Sequence, residues 1–494
     1  MERLLLGIDI GTSSCKVAVF RRDGQVVAQA SADYPLYYPE HGWVEQDPED
    51  WWSGVCRAVR DCLRCGNVDP AEIAGIGLAG QSWSVIPVDE EGHVLHRAPT
   101  WLDTRATELS ERVLSDIPKE DIFQVSGNTF SPAYSTPKVL WFREYMPELF
   151  ERTYKFLQSN GYIGMKLTGK MTSDRSQSYG WHFYNPVTLS YDGDMAERLG
   201  IPLEKVPDIV CCHDVIGTVT EKAAEEAGLK PGTPVVAGGL DAACGTLGAG
   251  VTGHYETQLQ GGQAGGISIC LNEPKAHPDL IFSPHVIPGR YLLQGGTVGG
   301  GGALRWFREE FGDELSFSEL TKLAEPVPAG SDGVVFLPYL AGERSPLWNP
   351  KAKAVFYGLS FKQTKGHAIR AVLEGVVFSV YHNLLVAREA GVDIGKLDIH
   401  AMGGAANSEM WIQMYADVIG CPIRVPSSDT ATTLGAALLA GVGIGVYRDF
   451  DEAVGRTITI LREHQPDLKR RKQYESSLQT YLKLSKLMNE EMFI

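Results

Sequence analysis

Residues 4–20 read LLLGIDIGTSSCKVAVF, and this stretch is the strongest indication of the fold. An apolar run from Leu4 to Ile8 leads into Asp9, Gly11 and three hydroxyl residues, and a second apolar run resumes after Lys16. A simple β-hairpin explains the pattern, because hairpin turns favour Gly, Ser and Asp. The turn also offers a carboxylate, backbone N–H groups, hydroxyls and an ammonium, which together suit a magnesium-bound polyphosphate. The stretch alone leaves both interpretations open.

The composition is that of an ordinary globular protein with an acidic balance. The chain has 494 residues, 44% hydrophobic and 21% charged, which is enough for two or more domains with complete cores. The formal net charge of -16 disfavours nucleic acid or an anionic membrane as the main partner, because both require a basic face. Small anionic molecules remain compatible, since local dipoles and single cations hold them.

The cysteines and the N-terminus predict a cytoplasmic protein. Nine cysteines follow no disulfide framework, and an odd number fits a reducing compartment. The N-terminal apolar run is too short for a signal peptide. The longest apolar tract, residues 434–446, is interrupted by four glycines, so we expect no membrane span. We expect no metal at Cys62-x-x-Cys65 or Cys211-Cys212-His213, because neither has a second ligand pair at zinc spacing.

Apolar strands that end in glycine-rich turns recur along the chain and indicate an α/β architecture. Residues 73–78 and 235–237 are two such strands, and Asp47-Pro48 predicts the start of a helix between the opening hairpin and the first of them. The pattern of the opening hairpin recurs from about residue 255. Residues 258–269 (QLQGGQAGGISI) again predict a strand, a glycine turn and a strand. We therefore expect two related halves with a boundary in the glycine-rich residues 248–253.

The sequence satisfies neither of two familiar nucleotide-binding motifs. No G-x-G-x-x-G follows a strand and opens a helix, which disfavours an α/β dehydrogenase that binds NAD. Residues 164–170 spell G-x-x-x-x-G-K, but Met171 stands where a P-loop needs Ser or Thr, and no apolar strand precedes the motif. We interpret this segment as a helix that ends at a glycine C-cap.

Four glycine-rich turns remain, each after an apolar strand, at residues 9–16, 261–266, 299–302 and 403–408. Two of them converging from two domains would surround a nucleotide with backbone N–H groups.

Asp9 and Asp241 stand at strand ends, where two chemical roles are available to a carboxylate. One that faces phosphates binds the metal, and one that faces a hydroxyl takes its proton. A helix N-cap before Ala242 is the simpler interpretation of Asp241, and capping and catalysis are compatible.

Several segments together resemble the FGGY family of carbohydrate kinases, of the actin-like, ribonuclease-H-like ATPase superfamily, along nearly the whole chain. In the family's order they are residues 7–16 (GIDIGTSSCK), 138–142 (KVLWF) with 167–169 (LTG), 337–346 (LPYLAGERSP), 357–360 (YGLS) followed by His367 and 370–375 (RAVLEG), and 403–418, which is similar to the family's adenosine motif. Each motif alone is weak; several in the right order form a strong signal.

The resemblance implies an α/β fold with two ribonuclease-H-like domains flanking a central catalytic cleft. Residues 1–248 would form the N-terminal domain, with sugar binding, the first phosphate motif and the catalytic aspartate. Residues 249–494 would form the C-terminal domain, with adenosine binding and the second phosphate motif. The implied activity is phosphorylation of a sugar hydroxyl by ATP with Mg²⁺, a role that needs positioning and charge neutralisation more than covalent chemistry.

The resemblance also implies roles for individual residues. Asp9 would hold Mg²⁺ and Asp241 would be the general base. The phosphates and the rest of the nucleotide would be bound by Gly11, Thr12, Ser13, Lys16, Gly262, Gln263, Gly300, Gly403, Gly404 and Ser408. The sugar would be bound by Gln81, Ser82, Trp83, Trp101, Asp103 and Asp241. Core packing is the alternative for both tryptophans.

Three positions depart from the usual pattern of D-xylulose kinases. Ser82-Trp83-Ser84 stands in place of Met-His-Gly, Ala242 in place of Asn, and residues 262–265 read GQAG in place of Gly-Thr-Ser-Gly. Because a polar site discriminates by pairing particular hydroxyls, the first two changes bear on which sugar fits. A pentulose such as D-xylulose or ribulose is the first expectation, and another ketose, a sugar acid or a polyol resembling glycerol or erythritol is the alternative.

A catalytically inactive sugar- or nucleotide-binding regulator on the same fold is the alternative from another class. Retention of Asp9 and Asp241 disfavours it, because an inactive site needs neither carboxylate. The expected partners are a small-molecule sugar and ATP, and the resemblance suggests a homodimer.

Overall fold

The structure is a computed structural model that describes residues 3–312, 314–427 and 430–493. The chain divides into two compact units that exchange segments along the sequence. Unit 1 comprises Met1–Thr252, Ser283–Tyr291 and Thr430–Ile458, and unit 2 comprises Gly253–Phe282, Leu292–Asp429 and Thr459–Ile494.

The first 250 residues alternate strands and helices. The strands are β1 (Leu4–Ile10), β2 (Ser14–Phe20), β3 (Val26–Asp33), β4 (Glu45–Gln46), β5 (Ile73–Gly80), β6 (Ile86–Val88), β7 (Ala98–Pro99), β8 (Lys155–Leu157), β9 (Thr172–Asp174), β10 (Tyr184–Asn185), β11 (Ser190–Tyr191), β12 (Asp208–Val210), β13 (Val215–Thr218), β14 (Pro234–Val236) and β15 (Gly239–Leu240). The helices are α1 (Pro48–Gly66), α2 (Thr107–Asp116), α3 (Lys119–Ser126), α4 (Ser135–Tyr145), α5 (Pro147–Arg152), α6 (Ser159–Thr168), α7 (Gly193–Leu199), α8 (Glu221–Ala227) and α9 (Asp241–Gly248).

The remaining residues repeat this alternation. The strands are β16 (Glu256–Gly261), β17 (Gly265–Leu271), β18 (Ile281–Pro284), β19 (Tyr291–Thr297), β20 (Val335–Leu337), β21 (Val355–Tyr357), β22 (Asp398–Met402), β23 (Ile423–Pro426) and β24 (Ile460–His464). The helices are α10 (Gly300–Phe311), α11 (Phe317–Ala324), α12 (Lys365–Glu389), α13 (Glu409–Ile419), α14 (Ala431–Gly443), α15 (Phe450–Thr457) and α16 (Leu468–Glu491).

The main sheet of unit 1 has the order β13-β14-β5-β1-β2-β3, and β15 also pairs with β5. β1, β2 and β3 form an antiparallel meander, whereas β5 runs parallel to β1, β14 and β15. The opening stretch is therefore a β-hairpin, as the local pattern predicts, built into a sheet whose central strands are parallel.

The helix predicted at Asp47-Pro48 is confirmed as α1. The Asp47 side chain accepts a hydrogen bond from the N–H of Glu49, and Pro48 occupies the first turn. Trp51, Val55 and Val59 are fully buried in the core of unit 1. This helix closes one face of the sheet because its apolar residues recur at helical spacing.

The glycine at the end of the rejected P-loop motif is confirmed as a helix C-cap. Gly169 follows α6 with a φ of 76° and donates its N–H to the carbonyl of Met165. This left-handed conformation suits glycine, which has no Cβ to clash.

Residues 430–458 pack within unit 1, although they lie in the second half of the chain. α14 runs so close to β1, β5 and α9 that a Cβ on Gly7, Gly77 or Gly248 would overlap its backbone. The division of the chain into two units therefore differs from the expected boundary at residue 248, since residues 430–458 return to unit 1. Glycines in β1, β5, α9 and α14 allow these backbones to approach closely, and a single boundary along the sequence does not describe such a return.

The main sheet of unit 2 repeats the arrangement of unit 1. Its order is β18-β19-β17-β16-β22-β23-β24. β16 and β17 form an antiparallel hairpin, β22 and β23 continue in parallel with β16, and β24 is antiparallel to β23. The expectation of two halves of related construction is confirmed by this matching order of strands.

α12 is long and apolar enough to cross a membrane by length and composition alone. However, 89% of its most apolar window is buried inside the protein. Burial of this kind is typical of a core helix, whose apolar residues face neighbouring elements on all sides.

Candidate active site

The first phosphate turn joins β1 and β2. Asp9 pairs directly with Lys16 across the hairpin, so their side chains lie on the same face of the sheet. The turn between them is closed by the N–H of Gly11, which donates to the carbonyl of Ser14 at 3.1 Å. Ser13 and Lys16 are exposed, which leaves a hydroxyl and an ammonium available to an anion.

Three strands of unit 1 bring Asp9, Gln81 and Asp241 to one edge. β1 and β15 both run parallel to β5, with Ile10 opposite Gly80 and Leu240 opposite the same glycine. Because parallel strands end at the same edge of a sheet, the residues that follow them gather there. The strand β5 lies between β1 and β15, so the backbones of these two strands are roughly 10 Å apart.

Asp9 is a buried carboxylate with an unsatisfied oxygen. Only 5% of the residue is exposed, and its Oδ1 has no hydrogen-bond partner within the described residues. Burial, and then the charge of Asp241, raises the pKa of Asp9 to about 7, against the opposing effect of Lys16. A buried oxygen without a partner is costly in a protein and is typical of a site that receives a cation or a donor. The residue fits a hard metal ion such as Mg²⁺.

Asp241 begins α9, and the N-cap position itself is occupied by Leu240. The interpretation of Asp241 as an N-cap is therefore wrong, since the aspartate is the first helical residue. Its Oδ1 accepts a hydrogen bond from the N–H of Ala242 at 2.6 Å, and the residue is partly exposed. A carboxylate at this position is stabilised by the positive end of the helix dipole.

A buried network fixes the backbone just before Asp241. The N–H of Leu240 donates to Ser176 Oγ at 2.9 Å, and Ser176 Oγ donates to Asp174 Oδ1 at 2.5 Å. Asn160 Nδ2 donates to the other oxygen of Asp174 at 2.9 Å. These bonds hold the start of α9, and with it the backbone of Asp241, at a defined position.

Gln81 is oriented through a chain of hydrogen bonds. Gln46 Nε2 donates to the carbonyl of Thr12 at 2.8 Å, which leaves Gln46 Oε1 to accept from Gln81 Nε2 at 2.8 Å. The carbonyl oxygen of the Gln81 side chain is buried and has no partner among the described residues. It can therefore accept a hydrogen bond from a ligand hydroxyl.

Trp83 is packed in an aromatic cluster next to the half-buried Ser82. Its ring stacks on Tyr134 with centroids 4.0 Å apart, and only 5% of the residue is exposed. Its backbone has a φ of 60°, which is unusual for a bulky residue and marks a constrained segment. The core-packing interpretation accounts for most of the Trp83 ring.

Trp101 lies in the second of the two loops predicted to bind the sugar, residues 81–84 and 101–105, and it contacts the first phosphate turn. Its Nε1 donates to Thr12 Oγ1 at 2.9 Å. The hydroxyl of Thr12 accepts this bond and keeps its own proton available for an anion. The indole of Trp101 is partly exposed, so it can also contact a ligand.

Asp103 is saturated by neighbours within unit 1. Its carboxylate accepts four hydrogen bonds, from the N–H of Val44 and from the backbone N–H, Nε and Nη2 of Arg105. Arg105 also pairs with Glu45 at 2.7 Å, and its guanidinium carbon lies 4.0 Å from the ring centroid of Trp43 and 4.9 Å from that of Trp141. A carboxylate that already accepts four bonds has little remaining capacity for a sugar hydroxyl, so this geometry favours a supporting role for Asp103.

His182 borders the same aromatic cluster as a neutral ring. It packs against Tyr134 at 4.9 Å, and its Nε2 lies 3.2 Å from the carbonyl of Thr129. Burial lowers the pKa of His182 to about 4.

Protonation of His182 is expected to destabilise the protein in acid. Between pH 6.5 and pH 4 the unfolded chain binds a proton that the folded chain does not, so stability present above pH 6.5 is lost as the pH falls, about 2 kcal/mol by pH 5. In urea titrations, His182→Gln should lose about 2 kcal/mol less than the wild type between about pH 7.5 and pH 5. His285, whose pKa is also lowered to about 4, remains in both proteins as an internal reference. Equal losses in the two proteins would contradict the prediction.

In unit 2 the second and third glycine turns pack against each other. Gly301 N–H donates to the carbonyl of Gly262 at 2.7 Å, and Gly302 N–H donates to that of Gln263 at 2.9 Å. Gly300 packs against the backbone of residues 264–265. These two N–H groups are thus used within the unit, and the third turn supports the second. Gln263 is exposed, so its amide is available to a ligand.

A cavity of about 590 Å³ lies in unit 2, beside the second and fourth turns. Gly262, Gln263, Gly404 and Ser408 line it, and Gly301 lines it in place of the predicted Gly300. Ser408 caps α13 by accepting a hydrogen bond from the N–H of Trp411 at 3.3 Å. A cavity of this size, with apolar walls and a few polar groups, is suited to a nucleoside.

Gly403 belongs to the fourth turn but is not among the residues that line the cavity. Its φ is 82°, and a Cβ there would lie 2.9 Å from the carbonyl of Gly261. Only glycine adopts this conformation next to another backbone without strain. The predicted role of Gly403 therefore corresponds to a structural requirement of the turn.

Sequence reasoning missed the wall of the cavity formed by α10 and α11. Leu304 and Arg305 of α10 line the cavity together with Phe317, Lys322 and Glu325 in and after α11. α11 begins with a capping box between Ser316 and Glu319, and this pattern was a usable signal for the helix. The pattern carries no information about which cavity the helix borders.

Comparison with known proteins identifies the family. The model of the FGGY family of carbohydrate kinases matches residues 4–248 with its N-terminal domain and residues 268–444 with its C-terminal domain. The chain belongs to the FGGY family of carbohydrate kinases. This FGGY kinase is an enzyme that transfers phosphate from ATP to a carbohydrate, and its two-domain fold is that of the family.

Relatives of this FGGY kinase align with nearly the whole chain. The gluconokinase of Bacillus subtilis is 30% identical over 503 residues, which are 99% of this chain and 97% of its own length. A second gluconokinase, from Bacillus licheniformis, is also 30% identical, over 502 residues. The xylulose kinase of Bacillus subtilis is 29% identical over 97% of this chain and 96% of its own length. Among solved structures, the ligand-bound xylulose kinase from Lactobacillus acidophilus superposes with a TM-score of 0.92 at 27% identity, over 99% of both chains.

Proposed function

We propose that this FGGY kinase phosphorylates a hydroxyl of a pentulose such as D-xylulose or ribulose, with Mg²⁺-bound ATP as the donor. The observation that carries the proposal is the placement of Asp9, Gln81 and Asp241 at one edge of the unit 1 sheet. This edge combines a buried carboxylate, a free amide oxygen and a partly exposed carboxylate, which are the groups that phosphoryl transfer to an alcohol needs.

Asp241 acts as the general base in this proposal. A carboxylate at the start of α9 is partly exposed and can accept the proton of a sugar hydroxyl as that oxygen attacks the γ-phosphorus. The network through Ser176 and Asp174 keeps the carboxylate at a defined position. Gln81 Oε1, Ser82 and Trp101 are the groups that orient the sugar.

The phosphates are held by the first turn and the metal by Asp9. Thr12, Ser13 and Lys16 offer hydroxyl protons and an ammonium on the same hairpin as Asp9. When bound, Mg²⁺ neutralises charge on the phosphate oxygens. The Oδ1 of Asp9, which has no hydrogen-bond partner in the described part of the chain, is the oxygen that suits such an ion.

The adenosine occupies the cavity of unit 2. Its wall combines Leu304, Phe317 and Trp411 with the glycine backbone at residues 262 and 404, which suits the faces of a base and the edge of a ribose. Gln263 is the donor on the second turn in place of a hydroxyl residue.

The identity of the sugar rests on the relatives and on loop 81–84. Relatives named as xylulose kinases support a pentulose, and relatives named as gluconokinases support a sugar acid as the alternative. Another ketose or a polyol is a further alternative, because Ser82 and Trp83 replace the usual residues of D-xylulose kinases.

Coupled ADP release with a panel of acceptors tests the proposal. The panel contains D-xylulose, D-ribulose, L-xylulose, gluconate, glycerol and erythritol, each with ATP and Mg²⁺. We expect kcat/KM for at least one of the three pentuloses to exceed the values for gluconate, glycerol and erythritol at least tenfold. A higher value for gluconate or a polyol would replace the substrate assignment, and ligand binding without turnover of any member would favour an inactive regulator.

Gly404→Ala is expected to weaken nucleotide binding without unfolding the protein. A Cβ at Gly404 meets only the carbonyl of Gly261, at 3.9 Å, so the backbone tolerates it, but the methyl group enters the cavity. We expect the dissociation constant of ADP, measured by calorimetry, to rise about tenfold, a cost within the range of steric overpacking. Gly193→Ala, where a Cβ meets nothing within 4 Å, is the matched control. Unchanged ADP affinity in Gly404→Ala would place the nucleotide elsewhere.

We also propose a cytoplasmic location and a homodimer. The reduced cysteines support the first, since none of the nine is paired. The second extends the family resemblance, and analytical ultracentrifugation of the full chain tests it directly.

A further inference from the structure

The first turn of α4 is a junction of hydrogen bonds beside the predicted sugar loop. Ser135 Oγ accepts from Gln158 Nε2 at 3.1 Å, and Thr136 Oγ1 accepts from the N–H of His182 at 2.8 Å. Tyr134, which precedes the helix, stacks on Trp83. One short segment therefore contacts several parts of unit 1 that surround loop 81–84.

Lys138 provides the most direct of these contacts. Its ammonium donates to the backbone carbonyl of Trp83 at 3.0 Å and to that of Ala133 at 2.5 Å. The residue is 0% exposed. A long flexible cation is rarely buried completely, because desolvation is costly unless the charge finds partners.

The carbonyl that Lys138 binds belongs to a residue with a constrained backbone. Trp83 has a φ of 60°, in the left-handed region that bulky residues seldom adopt. Such a conformation persists only where the surroundings hold it. The bond to the Trp83 carbonyl and the stack of its ring on Tyr134 hold it from two sides.

Lys138 also interacts with the second predicted sugar loop. Its ammonium is attracted by the charge of Asp103 and opposed by that of Arg105, which is itself paired with Asp103 and Glu45. Burial lowers the pKa of Lys138 to about 7, with Asp103 acting in the opposite direction. The lysine therefore lies within electrostatic reach of loop 101–105 while it is hydrogen-bonded to loop 81–84.

We propose that Lys138 is a positioning residue that holds loop 81–84 and thereby sets the affinity of this kinase for its sugar. It acts through its hydrogen bond to the carbonyl of Trp83, and it does not touch the substrate. The inference rests on the proposed function, because it takes loop 81–84 as part of the sugar site. The adenosine cavity of unit 2 contains none of these residues, so we expect the affinity for ADP to change much less than the affinity for the sugar.

Lys138→Met tests the proposal against a matched control. Lys205 in the same unit also donates to backbone carbonyls, those of Phe150 and Thr153 among them, and lies outside both loops. The probe is D-xylulose, or the panel member that the wild type turns over fastest. We expect Lys138→Met to raise the KM for the sugar at least tenfold with the dissociation constant of ADP within twofold of wild type. Lys205→Met should leave the KM for the sugar within twofold.

Two further measurements separate positioning from folding. Thermal unfolding of each variant reports stability, and Lys138→Gln retains one donor for a carbonyl, so its KM should lie between those of wild type and Lys138→Met. A KM within twofold of wild type in Lys138→Met, with or without a lower melting temperature, would overturn the proposal. Failure of both Lys138 variants to fold would overturn it too, because it would assign the lysine to stability. Absence of sugar turnover in the wild type would instead reject the proposed function.

Discussion

Asp241→Asn is expected to reduce kcat by about 10²-fold to 10⁴-fold, the range in which general-base catalysis contributes to enzymatic rates. The substitution preserves the shape of the side chain and its place at the start of α9, but an amide does not accept the proton of a sugar hydroxyl at neutral pH. The buried support through Ser176 contacts the backbone of Leu240, not the carboxylate, so the local fold should survive. The dissociation constant of ADP should remain within about threefold, since the adenosine cavity lies in unit 2.

Asp192→Asn is the matched control for Asp241→Asn. Asp192 stands before α7 in the same unit and accepts a hydrogen bond from the N–H of Met195. Asparagine is an equally good N-cap, so this variant should keep turnover within about twofold of wild type. Initial rates of ADP release with saturating sugar measure both variants. Near-normal turnover in Asp241→Asn would show that another group removes the proton.

Gly77→Ala is expected to destabilise the protein by at least about 3 kcal/mol, at the upper end of overpacking effects. Gly77 lies in β5, and a Cβ there would overlap the carbonyl oxygen of Ala436 in α14. The obstacle is backbone on both sides, so no side chain can rotate away. β5 or α14 must shift, and either movement disturbs the strands that end at Gln81 and Asp241.

Gly455→Ala is the control for Gly77→Ala. Gly455 lies in α15 of the same unit, and a Cβ there meets nothing within 4 Å. Alanine is a better helix former, so this variant should be unchanged or more stable by up to about 1 kcal/mol. Urea unfolding followed by circular dichroism compares the two. Equal midpoints for Gly77→Ala and wild type would mean that α14 is not held against β5 as described.

Much of the fold was predictable because it depends on local patterns. The alternation of apolar residues around Asp9-to-Lys16 predicts two strands and a turn, and the structure pairs these two residues across the hairpin. Asp47-Pro48 predicts the start of α1 through capping chemistry that needs no tertiary information. The recurrence of the same pattern near residue 258 predicts a second half of related construction, and the structure shows there a second sheet with a matching order of strands.

The candidate site was predictable only at the positions that lie on motifs. Gly404 and Ser408, which lie on the motif similar to the family's adenosine motif, line the cavity of unit 2. By contrast, the sequence does not reveal that Asp103 is saturated by Arg105, or that Gly301 and Gly302 support the second turn. Such roles depend on which donors reach which acceptors, and that depends on the packing of segments far apart in the chain.

The sequence by itself determined the α/β class of the fold, because strand periodicity, helix caps and glycine turns act over a few residues. It also placed Asp9 and Asp241, the carboxylates of the proposed mechanism, at strand ends. Tertiary structure alone decided that α14 belongs with β1 and β5, since the close approach depends on Gly7 and Gly77 lying opposite the backbone of α14. It also decided that Lys138 is bonded to Trp83, 55 residues earlier in the chain. Contacts of this kind follow from shape and burial, which no local pattern encodes.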